Sequence, residues 1–102
     1  MVDGRTGQRT LTVGTSSVVV SRLQPIAQRK LFVLTNSSTG GQIIYISFSK
    51  DATSSDLPIY PGGSYDEPFG GQTDASNDDI YAIANLAGGT LAITERTAPR
   101  GV

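Results

Sequence analysis

Four Gly-Gly pairs, at 40–41, 62–63, 70–71 and 88–89, each lie beside a short run with the apolar content of a strand. A period of two with glycine turns between the runs is the signature of short strands rather than helices. No stretch carries apolar residues at i, i+3, i+4 and i+7 over the length a helix needs. The clearest case is "IYAIANLAGGTLAITE" at 80–95, two alternating runs flanking a glycine pair. It reads as a β-hairpin with residues 88–89 at the bend. A phosphate cradle would need a lysine or a helix N-terminus aimed at the anion, and "NLAGGTLAI" supplies neither.

The remaining runs fill in the pattern. "RTLTV" at 9–13 sets Leu11 and Val13 on one face and Thr10 and Thr12 on the other. "VVVSRL" at 18–23 is rich in β-branched residues, and Pro25 ends regular pairing after it or confines it to an edge. "KLFVLTN" at 30–36 reads as a central strand covered on both faces, closed by Asn36. In "IIYISFS" at 43–49, Ile44, Ile46 and Phe48 share a face. "LPIY", interrupted by Pro58, is a short edge strand; "SYDEPF" is another short or irregular strand. "GGQTDASNDD" is the longest loop-like stretch. Seven to eight short strands in 102 residues predict one all-β domain, an antiparallel β-sandwich, with the jelly roll among the forms it can take. The expected organisation is an extended N-terminal arm at 1–8, a sandwich at 9–96 and a C-terminal tail at 97–102.

The formal net charge is −1, with no basic excess to drive nucleic-acid binding. The N-terminal stretch has no apolar signal core, and no run approaches the ~20 apolar residues of a membrane-spanning helix. The expectation is a protein made in a cytoplasm, binding neither nucleic acid nor membrane. Cysteine and histidine are both absent, so thiolate and imidazole ligands or nucleophiles are excluded. A small core without covalent staples leans toward oligomerisation.

Little in the chain points to catalysis. Asp78 and Asp79 are adjacent, and adjacent strand residues face opposite ways, so they cannot share a proton within one strand. With Asp74 they offer calcium ligands, but not at the spacing of a D-x-D-x-D-G loop; a solvated acidic loop is the simpler reading, and Asp66 and Glu67 raise the same choice. Ser47 precedes Lys50 by three residues, but at a strand end those positions point apart. The reading is a non-enzyme with no cofactor and no metal. Tyr45, Tyr60, Tyr65 and Tyr81 are candidates for an outward contact surface or for covers over a thin core, with Tyr60, beside Pro61, the strongest contact candidate.

Three phrases, spanning about residues 28 to 95, resemble small virion proteins of tailed bacteriophages. "QRKLFVLTNSS" is similar to their R-x-L-x-[LVI]-x-N-x-[ST] strand. "IYISFS" followed by "LPIYPGGSY" is similar to their [IV]-Y-[IL]-G-F … L-x-P-G segment, with Ser47 where the small residue usually stands. "DIYAIANLAGGTLAITE" resembles their closing hairpin. The resemblance carries over framework positions only: Arg29, Asn36, Tyr45, Pro61, Gly62, Tyr81 and Glu95. It implies a capsid decoration (cement) protein on the outer surface of the virion, a homotrimer whose partner is the major capsid protein. Val2, Arg5, Tyr60, Pro61, Tyr65, Pro99 and Arg100 are the expected interface residues. The competing reading is a head-fibre or tail module that binds a receptor or glycan through outward tyrosines and the acidic 72–79 loop.

Overall fold

A computed structural model describes residues 5–23, 26–69 and 74–99. Eight strands are seen among them: β1 (Arg5–Val13), β2 (Val18–Ser21), β3 (Ala27–Asn36), β4 (Ile44–Phe48), β5 (Leu57–Ile59), β6 (Ser64–Glu67), β7 (Ile80–Ala84) and β8 (Gly89–Pro99). They form two four-stranded sheets, sheet A in the order β1-β8-β3-β6 and sheet B in the order β2-β7-β4-β5. Every ladder is antiparallel. The chain is all-β, as its alternation predicts.

The ladders are nested. β1 pairs with β8, β2 with β7, β3 with β6 and β4 with β5. Two further ladders, β3 with β8 and β4 with β7, knit these pairs into sheets. Consequently every connection except β4–β5 carries the chain from one sheet to the other. The expected hairpin at 80–95 is therefore corrected. β7 lies in sheet B and β8 in sheet A, and the glycine pair turns an arch between layers. Gly88 has φ +84°, which glycine adopts without strain. A Cβ on Gly89 would come within 2.8 Å of the Val13 carbonyl oxygen, so close packing requires glycine there too.

Alternate residues of each strand face inward. Leu34 and Ile93 of sheet A meet Ile44, Ile46 and Ile80 of sheet B in one buried core. β3 is central in its sheet, but its burial alternates, so the expected cover on both faces is corrected: two layers leave one face of each sheet to solvent. β3 also begins at Ala27, earlier than the apolar run, because pairing with Pro99, Ala98 and Thr97 of β8 extends it. Pro58 lies on an edge strand, as expected.

The predicted arms meet a similar correction. Residues 5–8 belong to β1 and pair with residues 94–97 of β8, while residues 97–99 of β8 pair with residues 27–29 of β3; the two segments meet at Arg5↔Thr97. Polar composition hid these strand ends, because a ladder held by backbone bonds needs no apolar side chain. Residues 1–4 and 100–102 lie outside the described residues.

Candidate functional site

The most densely bonded part of the molecule is a buried ionic clamp at the end where β1 begins. Arg29 of β3 is fully buried. Its Nε donates to Glu95 Oε2 at 2.6 Å, Nη1 to the carbonyls of Ser76 and Asp78 at 2.6 and 2.8 Å, and Nη2 to Ser21 Oγ at 2.7 Å. The guanidinium carbon also stands 5.5 Å from the centre of the Phe32 ring. Ser21 Oγ donates in turn to Glu95 Oε2, and Arg9 Nη1 lies 3.5 Å from Glu95 Oε1. One side chain thus ties β2, β3, β8 and the loop before β7 together. Bulges flank the clamp, between Arg29 and Leu31 in β3 and between Val19 and Ser21 in β2.

Burial pushes the Glu95 carboxyl up. Hydrogen bonds from Ser21 and Arg29 and the charges of Arg29 and Arg9 outweigh it, leaving the group below its ordinary 4.5. Glu67, also buried, accepts from the Ser76 amide and the Tyr65 hydroxyl. Burial first, then that bond to Glu67, pushes the Tyr65 hydroxyl up to about 12. No buried side-chain nitrogen or oxygen among the described residues lacks a partner. The clamp is therefore a saturated structural network.

The opposite end is closed by amides. Buried Asn36 donates to the carbonyls of Gln42 and Ile59, both at 2.8 Å, and its Oδ1 accepts from the Ser38 amide. Gln42 Nε2 donates to the Ala87 carbonyl, and Asn85 Oδ1 accepts from the Ile43 amide. These bonds fix the arches at 37–43 and 85–88. The third arch is the turn Tyr60-Pro61-Gly62-Gly63, with the Gly63 amide donating to the Tyr60 carbonyl at 2.8 Å and Gly62 at φ +82°. Proline followed by a positive-φ glycine is the type II pattern.

The described members of the expected interface set, Arg5, Tyr60, Pro61, Tyr65 and Pro99, do not lie together. Tyr60 and Pro61 are exposed on that turn, with Leu86 exposed on the 85–88 arch at the same end. Arg5 opens β1 and Pro99 closes β8 at the far end, in a molecule of 44 × 24 × 23 Å. Val2 and Arg100 lie outside the described residues. Tyr65 is half-buried: its ring stands 5.9 Å from Phe32, 6.0 Å from Phe48 and 6.4 Å from Phe69, so it covers the core.

A surface the sequence reading did not assemble lies on the outer face of sheet B. Register places Tyr45 beside Ile83 of β7 and Pro58 of β5, and Tyr81 beside Val19 of β2. Their neighbours in alternation, Ile44, Ile46, Ala82 and Ala84, are buried, so this set faces away from the core. Tyr45, Tyr81 and Ile83 are partly exposed, and Val19 is exposed. The outer face of sheet A is more polar: Gln8, Thr10 and Thr12 of β1, Ala92 and Thr94 of β8, and Val33 and Thr35 of β3 occupy it. One face offers tyrosine and branched aliphatics, the other mostly threonine with Val33 among it. The signal in the sequence was alternation with both phases apolar, as in "IIYIS" and "IYAIA".

The acidic loop is engaged within the molecule. Asp74 Oδ1 accepts from Lys30 Nζ at 2.9 Å, and Asp79 pairs with Arg22, which also donates to the Tyr81 hydroxyl. Asp78 accepts from the hydroxyls of Ser49 and Ser76. Among the described residues no three acidic groups converge as a metal-ligand cluster. The formal Ser47–Lys50 pair is a turn contact: Ser47 Oγ donates to the Lys50 carbonyl, while Lys50 Nζ bonds Asp56. No family model matches the chain, and no curated protein matches it.

Proposed function

We propose that this chain is a structural protein of a tailed-phage particle, a decoration protein that docks on the major capsid protein and stabilises the shell from outside. The observation that carries this reading is the outer face of sheet B, where Val19, Tyr81, Tyr45, Ile83 and Pro58 adjoin in register. Half-exposed tyrosines among branched aliphatics bury large area with little loss of side-chain freedom, which suits a broad, shallow protein contact. Three further points support it. Nested ladders linking two four-stranded sheets support a jelly-roll reading, a fold common in virion proteins. Framework positions that the resemblance singles out hold structural posts: Arg29 and Glu95 in the clamp, Asn36 and Gly62 at the arches. Weak contacts repeated over a symmetric shell add through avidity, so no single copy needs to bind tightly.

The receptor- or glycan-binding alternative would use the same outward tyrosines together with the acidic loop, whose three described aspartates already bond Lys30, Arg22, Ser49 and Ser76, so the loop offers it little. Protein docking is the better-supported reading. Purified protein is expected to co-sediment with expanded, empty capsids of its particle. The doubly substituted Tyr45→Asp/Ile83→Asp chain is expected to lose that binding while keeping its far-ultraviolet circular dichroism. Wild-type protein that ignores capsids and is retained by whole host cells would move the assignment to receptor recognition.

A further inference from the structure

A two-layer sandwich has four edge strands, and three of these carry features that discourage pairing. β2 has four residues and a bulge between Val19 and Ser21. β5 has three residues, one of them Pro58. β6 has four residues and runs straight into Pro68. β1 is different. It runs nine residues against β8 in unbroken register from Arg5↔Thr97 to Val13↔Gly89, with no proline and no bulge. Among the described residues no strand pairs with its other side. Alternate residues of an antiparallel edge strand direct their N–H and C=O groups outward, so β1 presents a row of backbone donors and acceptors.

On the outer face of sheet A this edge is uncharged at three successive positions. Gln8, Thr10 and Thr12 are exposed and uncharged. Arg9, of inward phase like Leu11 and Val13 but with its side chain 44% exposed, is tethered across the sandwich: Nη2 donates to the Val20 carbonyl at 2.6 Å and Nη1 lies 3.5 Å from Glu95. The side chain that would most directly repel a second strand is held by the clamp.

We infer that β1 is a pairing edge, and that its occupant is β1 of a second copy, joined antiparallel about a two-fold axis to make sheet A continuous across the dimer. The occupant follows from the other edges. A head-to-tail contact would need a second receptive edge on the same molecule, and β2, β5 and β6 are each short, bulged or bounded by proline. Only an isologous contact, β1 to β1, uses the open edge twice. Pairing must keep inward residues inward, which restricts the register to residue sums that are even. Centring on Arg9 would oppose the two Arg9 positions. Centring on Thr10 instead opposes Thr10 to Thr10 and Gln8 to Thr12, uncharged pairs of the kind favoured across strands. A net charge of −1 adds little repulsion between copies. This inference does not depend on the capsid assignment, and it replaces the expected three-fold contact with a two-fold one.

The test is the mass of the full chain by sedimentation velocity over a concentration series. The expected result is a concentration-dependent species of twice the 10.7 kDa chain mass. Thr10→Lys is expected to abolish it, whereas Thr94→Lys, on the same sheet face but in the central strand β8, is expected to retain it. Because the chain has no cysteine, Thr10→Cys reports independently of any folding defect in the lysine variant: it should cross-link to a dimer on oxidation, and Thr94→Cys should not. A wild-type chain that is monomeric at every concentration, a species of three chain masses, or a Thr10→Lys protein that still dimerises would each overturn the inference.

Discussion

Arg29 shows how one residue organises a loop. Its guanidinium satisfies two carbonyls of the 74–79 segment while neutralising Glu95, so the segment is anchored from inside. Replacing Arg29 by alanine leaves the partly buried Glu95 to Ser21 and the more distant Arg9, and two carbonyls without their donor. The expected loss is about 3–5 kcal/mol in urea unfolding, the range for breaking a buried pair on one side. The pH dependence has a definite sign. The folded carboxyl of Glu95 titrates below its ordinary 4.5, so its contribution is present above that value and is lost as pH falls through the folded value. Glu95→Gln is expected to flatten the acid limb of melting temperature against pH; an unchanged limb would remove Glu95 from the account. The resemblance singled out Arg29 and Glu95 as framework positions, without saying that they meet. Their pairing was not legible, because it depends on two bulges and on a loop that folds back from 49 residues away.

At the scale of the element, the arches matter more than the strands. A Cβ at Gly89 would meet backbone at 2.8 Å, whereas one at Gly41, at φ +80°, meets nothing within 4 Å. Gly41→Ala is therefore expected to cost about 1 kcal/mol through backbone strain alone. Gly89→Ala should cost more, about 1–3 kcal/mol, because strand β1 must shift. Thermal melts of the two variants check the order, and equal losses would contradict the arch geometry. Strand existence was readable from alternation and from Pro58, and the glycine pair after Pro61 was readable as a turn, although Tyr60 belongs to that turn and not to the strand "LPIY". Which strands pair was not. Glycine between two alternating runs bends the chain equally well within one sheet or between two, and only the competition for core-facing partners decides. In this chain β3 takes the place beside β8 that β7 would hold in a hairpin.

For the molecule as a whole, the nested order makes the outermost ladder the one that joins the most distant parts of the chain, Arg5 to Thr97. Deleting residues 1–8 would remove nearly half of β1 and expose the partners Thr94 to Thr97 of β8. That truncation is expected to lower the melting temperature markedly, whereas ending the deletion at residue 4 keeps every described ladder. Indistinguishable melts of the two truncations would return residues 5–8 to the status of a free arm. The two poles of the molecule also differ in what they present. Arg5 and Thr97 are opposite each other on neighbouring strands, about 5 Å apart, at the pole away from the Tyr60 turn. Cargo joined directly at Arg5 or Pro99 would accordingly be carried away from the arches, and a brief linker from Pro99 to Arg5 would close the described strands into a ring without disturbing either layer.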